Sequence, residues 1–209
     1  VSHAIEFSPQ SADCKIRDLH ALERACKNIL YKGEPALQLR LPGNAVIGED
    51  GQLYDQDTGI RIDSGKMHYR TWKTDHGKWV GDYPQPEGMT ADETGNNGVA
   101  VIALAGKAAE ENPQAYEIGL IARQDEQGTN FSMVHDFYGG GLGLEKFVGP
   151  TVKDRNQKVT DAHGDLLMHY QMACTQMAAE ELGHSIEFEQ NQDGTYDAVV
   201  DRENQGVLA

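Results

Sequence analysis

Residues 161–201, DAHGDLLMHYQMACTQMAAEELGHSIEFEQNQDGTYDAVVD, decide what kind of fold this chain adopts. At helical spacing, Leu166, Tyr170, Ala173, Cys174 and Met177 fall on one arc, with Leu167 and Ala178 on its flank. Thr160 or Asp161 is placed to cap the start, and Gly183 stands where a helix stops on a glycine. Gly164 weakens the first turn, so regular helix is expected from Asp165. Met168, Met172 and Ala179 form a second, narrower apolar strip on the far side. The first arc needs a sheet to bury it. The second strip needs another cover, either residues 43–97 or another subunit.

A β-hairpin follows at once. Ile186 and Phe188 alternate with Glu187 and Glu189, and beyond Asn191-Gln192-Asp193-Gly194, Tyr196, Ala198 and Val200 alternate with Asp197, Val199 and Asp201. A loop of four or five residues predicts Phe188 opposite Tyr196, Ile186 opposite Ala198, and Glu187 opposite Asp197. Glu187, Glu189, Asp197 and Asp201 then project together from one acidic face, which is a solvated surface or a site for a cation or a basic partner, the partner being favoured because a flat sheet encircles an ion poorly.

Working outward, His3, Ile5 and Phe7 alternate as a short strand. Asp18 caps a helix with the stripe Leu19, Leu22, Cys26, Ile29 and Leu30, ended by Lys32-Gly33, and residues 36–41 make the next strand. Residues 43–97 are rich in Gly, Asp and Lys and form a hairpin-bearing insertion. Its strands are expected at 68–73 and 78–80, with Tyr69, Trp72 and Trp79 offering an aromatic partner-binding surface. Residues 99–105 are a continuous apolar run, a buried strand. A helical turn at 107–112, strands at 116–121 and 131–138, a glycine corner at 139–143 and a short helix ended by Gly149-Pro150 lead back to the long helix. The fold class is α+β: one domain over 1–209, with a mainly antiparallel sheet and helices packed on one face. A ferredoxin-like split βαβ arrangement is the first topology expected.

The chain has 209 residues and a net charge of −15, which argues against direct binding to a nucleic-acid backbone. No apolar run approaches the roughly 20 residues of a membrane span. The start VSHAIEFS has no signal-peptide pattern, and three cysteines without a CxxC fit reduced thiols. A cytoplasmic protein is expected, in the host cytoplasm if the source is viral.

Catalytic constellations are weak. His135-Asp136 lies in a strand pattern, where neighbouring side chains point to opposite faces. On a helix, His163 and His169 stand about 120° apart, unlike a helical metal-binding pair. Gly139-Gly140-Gly141-Leu142-Gly143-Leu144-Glu145-Lys146 matches neither phosphate-binding glycine pattern. Cys174 lies within the apolar arc, with no electropositive neighbour in the sequence. No metal or cofactor is expected.

SHAIEF and IRDLHALERACKNI at one end, with YEIGL, FSMVHDFYGG, LEKF and EFEQNQDGTYDAVVDR at the other, resemble the hypothetical chloroplast open reading frame thirty-five family. This is a domain of unknown function with plastid, cyanobacterial, other bacterial and phage members. The resemblance spans roughly residues 2–40 and 98–203. The block at 43–97 and the loop at 149–160 depart from it. It implies a small soluble α+β domain without established catalytic residues. Because some bacterial members are encoded beside AAA+ ATPases, it also implies such an ATPase as a partner. The functional expectation is a non-catalytic interaction or assembly protein, binding a protein partner or a copy of itself. Met168, Met172, the aromatic residues and the four carboxylates would be its contact residues. The alternatives are a metal- or nucleotide-dependent enzyme built on His135, Asp136 and Gly139–Gly143, and an acidic decoy for a basic protein surface.

Overall fold

Asp18 opens α1 (Leu19–Asn28), as the sequence predicts. Its Oδ1 accepts from the backbone N–H groups of His20 and Ala21 at 2.8 and 3.2 Å, satisfying donors that no helix satisfies internally. The computed structural model describes residues 4–9, 15–41, 45–62, 100–136, 139–157, 159–193 and 195–201. Leu19, Leu22 and Cys26 are buried along α1, but the helix stops before Ile29 and Leu30 is exposed. Lys32-Gly33 does not end the helix. With φ of 51° and 85° it turns a small hairpin between β2 (Leu30–Tyr31) and β3 (Glu34–Pro35).

The sheet is built from β1 (Ala4–Phe7), β4 (Leu37–Arg40), β7 (Ala100–Leu104), β8 (Ile118–Asp125) and β9 (Gly128–Asp136). Its order is β1-β9-β8-β7-β4 and every neighbouring pair is antiparallel. β7 is buried on both faces, which accounts for its unbroken apolar sequence. The plan is α+β with a mainly antiparallel sheet, but not the ferredoxin-like version. That version sets one strand between the two that flank its first helix, whereas here β9, β8 and β7 separate β1 from β4, and the last hairpin stays outside the sheet.

Between β4 and β7, β5 (Ala45–Ile47) and β6 (Leu53–Asp55) form a hairpin that belongs to the main body. Leu53 and Ile62 join the core, and the Gly51 carbonyl accepts from Leu19 N–H at the start of α1, 2.9 Å away. The hairpin expected at 68–80 lies outside the described residues. Beyond β7, α2 (Gly106–Glu111) and α3 (Glu145–Val148) are short. β10 (Val152–Lys153) pairs with β11 (Val159–Asp161).

α4 (Gly164–Glu181) is the long helix. Leu166, Leu167, Tyr170 and Ala173 are buried as predicted. Cys174 and Met177 are half-buried against the core, and Ala178 is exposed. The Tyr170 hydroxyl accepts from the Arg17 and Asp18 N–H groups at 2.8 and 3.1 Å, so it fastens α4 to the start of α1. Gly183, at φ 77°, ends the helix. Its N–H bonds to the Glu180 carbonyl and the His184 N–H to the Ala179 carbonyl, the double closure of a glycine-stopped helix. The start departs from expectation. Neither Thr160 nor Asp161 caps it; His163 holds the N-cap position at φ 60° without a side-chain cap.

β12 (Ser185–Gln190) and β13 (Tyr196–Asp201) form the terminal hairpin around a five-residue loop closed by Asn191 N–H to the Thr195 carbonyl. Its register is shifted by two from the expected one. Phe188 faces Ala198, Ile186 faces Val200, Gln190 faces Tyr196, and the opposed acidic pair is Glu189 with Asp197. A shift of two preserves which face each residue occupies. Glu187, Glu189 and Asp197 therefore still share one side.

Candidate interaction site

His135 and His163 come from separate places in the sequence and meet inside the protein. His135 sits near the end of β9 and His163 at the start of α4. Both are fully buried, with ring centroids 5.2 Å apart. Phe7 meets His163 edge-on at 6.2 Å. Burial, and secondarily the neighbouring His163 ring, hold the His135 imidazole well below its ordinary pKa. Burial alone brings His163 down to about 3. Both rings are therefore neutral near pH 7.

The glycine corner packs on this pair. From Gly139 to Gly143 five consecutive residues have positive φ, from 52° to 108°, making one left-handed turn. Glycine adopts that conformation freely, whereas Leu142 bears a cost of roughly 1–2 kcal/mol. A methyl group on Gly141 would lie 2.7 Å from His135 Nε2. The corner thus closes over His135 and brings its own backbone to the nitrogen an ion or substrate would have to reach. Among the described residues, no group of three or more His, Cys, Asp or Glu is arranged to hold a metal ion.

A cleft of about 540 Å³ opens nearby, where α4 and the terminal hairpin meet the β2–β3 corner and the ends of α2 and α3. Met168, His169 and Asp165 come from α4, Gln190 and Tyr196 from the hairpin, and Tyr31, Glu111 and Lys146 from the opposite wall. Tyr31 donates to Glu111 at 2.7 Å and stacks edge-on against Phe147 at 5.3 Å. Glu111 also pairs with Lys32. Lys32 and the Tyr31 hydroxyl hold the Glu111 carboxyl below its usual range. His169 packs against Tyr196 at 6.5 Å. Partial burial lowers its pKa, and Asp165 offsets part of that.

The hairpin also bears on the second strip of α4. Gln176 donates to the Ile186 carbonyl at 3.2 Å, Ala179 is buried, and Met168 and Met172 are half-buried. Among the described residues, the hairpin that follows the helix lies against this side of α4, and Met168 and Met172 stay partly exposed. Glu187, Glu189 and Asp197 lie exposed on the hairpin's far side, and the side chain of Asp201 lies outside the described residues. Val199 and Val200 are 45% and 51% exposed. Tyr69, Trp72 and Trp79 lie outside the described residues.

Sequence reasoning missed the contact between His135 and His163, because the pair joins residues far apart along the chain. It also missed Tyr31, Glu111 and Lys146, which carry no motif. Among the described residues no helix is long and apolar enough to cross a membrane. Comparison with protein-family models, curated proteins and solved structures finds no match.

Proposed function

We propose that this protein acts by binding another protein, without catalysing a reaction, through the terminal hairpin and the cleft beside it. The observation that carries the reading is the hairpin's position. It stands outside the five-stranded sheet, rests one side on α4, and presents the other as an acidic surface with exposed valine. Exposed apolar groups rimmed by charge suit a protein contact. With a chain charge of −15, the surface favours a basic partner, which includes the idea of an acidic decoy within the same reading. The family resemblance makes an AAA+ ATPase one candidate. An enzyme built on His135 and the glycine corner would need the ring to reach a substrate, and full burial beneath Gly141 weighs against that.

The test is affinity purification of the full chain from its native host, alongside a Glu187→Lys, Asp197→Lys variant shown to be folded by circular dichroism. A stoichiometric partner held by the native chain and lost from the variant is expected. A partner retained equally by both would remove the hairpin from the reading. No stoichiometric partner at all would overturn the reading itself.

A further inference from the structure

The two strands of the terminal hairpin are not equally supported. β12 lies beside α4, with the Ile186 carbonyl bonded to Gln176. β13 lies outboard. Its Ala198 and Val200 occupy the helix-facing side by alternation yet are exposed, and among the described residues no strand pairs with its second edge. A two-stranded hairpin is marginal in water, and an open strand edge is a row of unpaired backbone donors and acceptors. Here the edge is flanked on one face by apolar Ala198 and Val200 and on the other by Asp197 and Val199, with Glu187 and Glu189 on the neighbouring strand.

This pattern selects among occupants. A second copy adding edge to edge would bring one acidic row beside another, and like charges on adjacent strands destabilise pairing. An extended segment alternating basic and apolar residues meets the opposite situation. Its apolar side chains extend the surface of Ala198 and Val200, while its lysines or arginines lie on the face of Asp197, Glu187 and Glu189. It would also relieve the repulsion within the hairpin, where Glu189 directly faces Asp197. We propose that β13 accepts a third strand: an extended partner segment of alternating basic and apolar residues, added along its open edge. The proposal rests on the interaction reading above and specifies its mode. Backbone hydrogen bonds would supply the affinity, and the alternating side chains the selectivity.

The experiment uses the unmodified full chain and a short dye-labelled peptide of alternating lysine and valine. Binding is followed by fluorescence anisotropy at low salt, and amide hydrogen exchange is followed on the same complex. The peptide is expected to bind and to slow exchange along β13. The same peptide N-methylated on alternate residues keeps its charge but loses the hydrogen bonds of one edge, so it should bind at least about tenfold more weakly. Equal binding of the N-methylated peptide would overturn strand addition and leave simple charge attraction, with the interaction reading intact. Failure of the parent peptide to bind, while exchange shows the hairpin formed, would also overturn strand addition. The interaction reading would then still be judged by whether the lysine variant keeps its native partner.

Discussion

His135 and His163 make the interior sensitive to acid. In the unfolded chain each imidazole titrates near its ordinary value of about 6.5, whereas folded His163 stays neutral down to about 3 and folded His135 is also strongly depressed. Below the unfolded value, the unfolded chain binds protons that the folded chain refuses. Stability is therefore full above about pH 6.5 and falls as pH drops, by up to about 1.4 kcal/mol per pH unit for each ring. Urea denaturation midpoints should decline between about pH 6.5 and 4.5, where most carboxylates are still ionised. The decline should flatten in a His163→Asn variant, since asparagine tolerates the left-handed backbone found there. A midpoint independent of pH across that window would mean the two rings reach water. Nothing local announced this pair. One histidine lies in a strand pattern and the other at a helix start, and only a tertiary contact between the end of β9 and the residue before α4 joins them.

At the scale of elements, one hydroxyl ties the start of α1 to α4, in addition to core packing and the Arg24–Glu180 ion pair further along both helices. Tyr170 accepts two backbone N–H groups at the start of α1, and burial raises its own pKa. Tyr170→Phe keeps the ring and leaves both donors without their acceptor, at a cost of roughly 1–3 kcal/mol. The loss should appear in chemical denaturation with little change in the circular dichroism of the folded state, and a loss near zero would show that water replaces the hydroxyl. Local signals were legible here. Asp18 caps α1, Gly183 stops α4, and the alternation of the last hairpin assigns its two faces correctly. The register was not legible, because loop closure by Asn191 and Thr195 shifts it by two without disturbing alternation. The start of α4 was not legible either, because its contacts with Gly149 and the buried His163 ring outweigh the capping preference of Asp161.

For the whole molecule, charge sets the terms of association. At −15, the protein should attract a basic partner over distances comparable with the screening length of about 10 Å at 0.1 M salt. Stopped-flow measurements with the purified partner should show association slowing several-fold between low and physiological salt, with dissociation changing less. An association rate indifferent to salt would separate the charge from the function. The α+β class followed from the order of strands and helices. The strand order did not, because pattern shows which residues are buried but not which strands neighbour one another. A βαβ reading and the observed antiparallel sheet demand the same apolar runs.

Among the described residues, β1 lies at one edge of that sheet and pairs only with β9. During synthesis, residues 4–7 leave the ribosome well over 100 residues ahead of the strand they need. At about 5–20 residues per second, the interval is on the order of ten seconds. The early segment must stay soluble and unpaired for that time, and the sheet can be completed at this edge only after the β8–β9 hairpin has formed. Nascent chains stalled before residue 128 should leave β1 open to protease, and those stalled with residue 136 well clear of the exit tunnel should protect it.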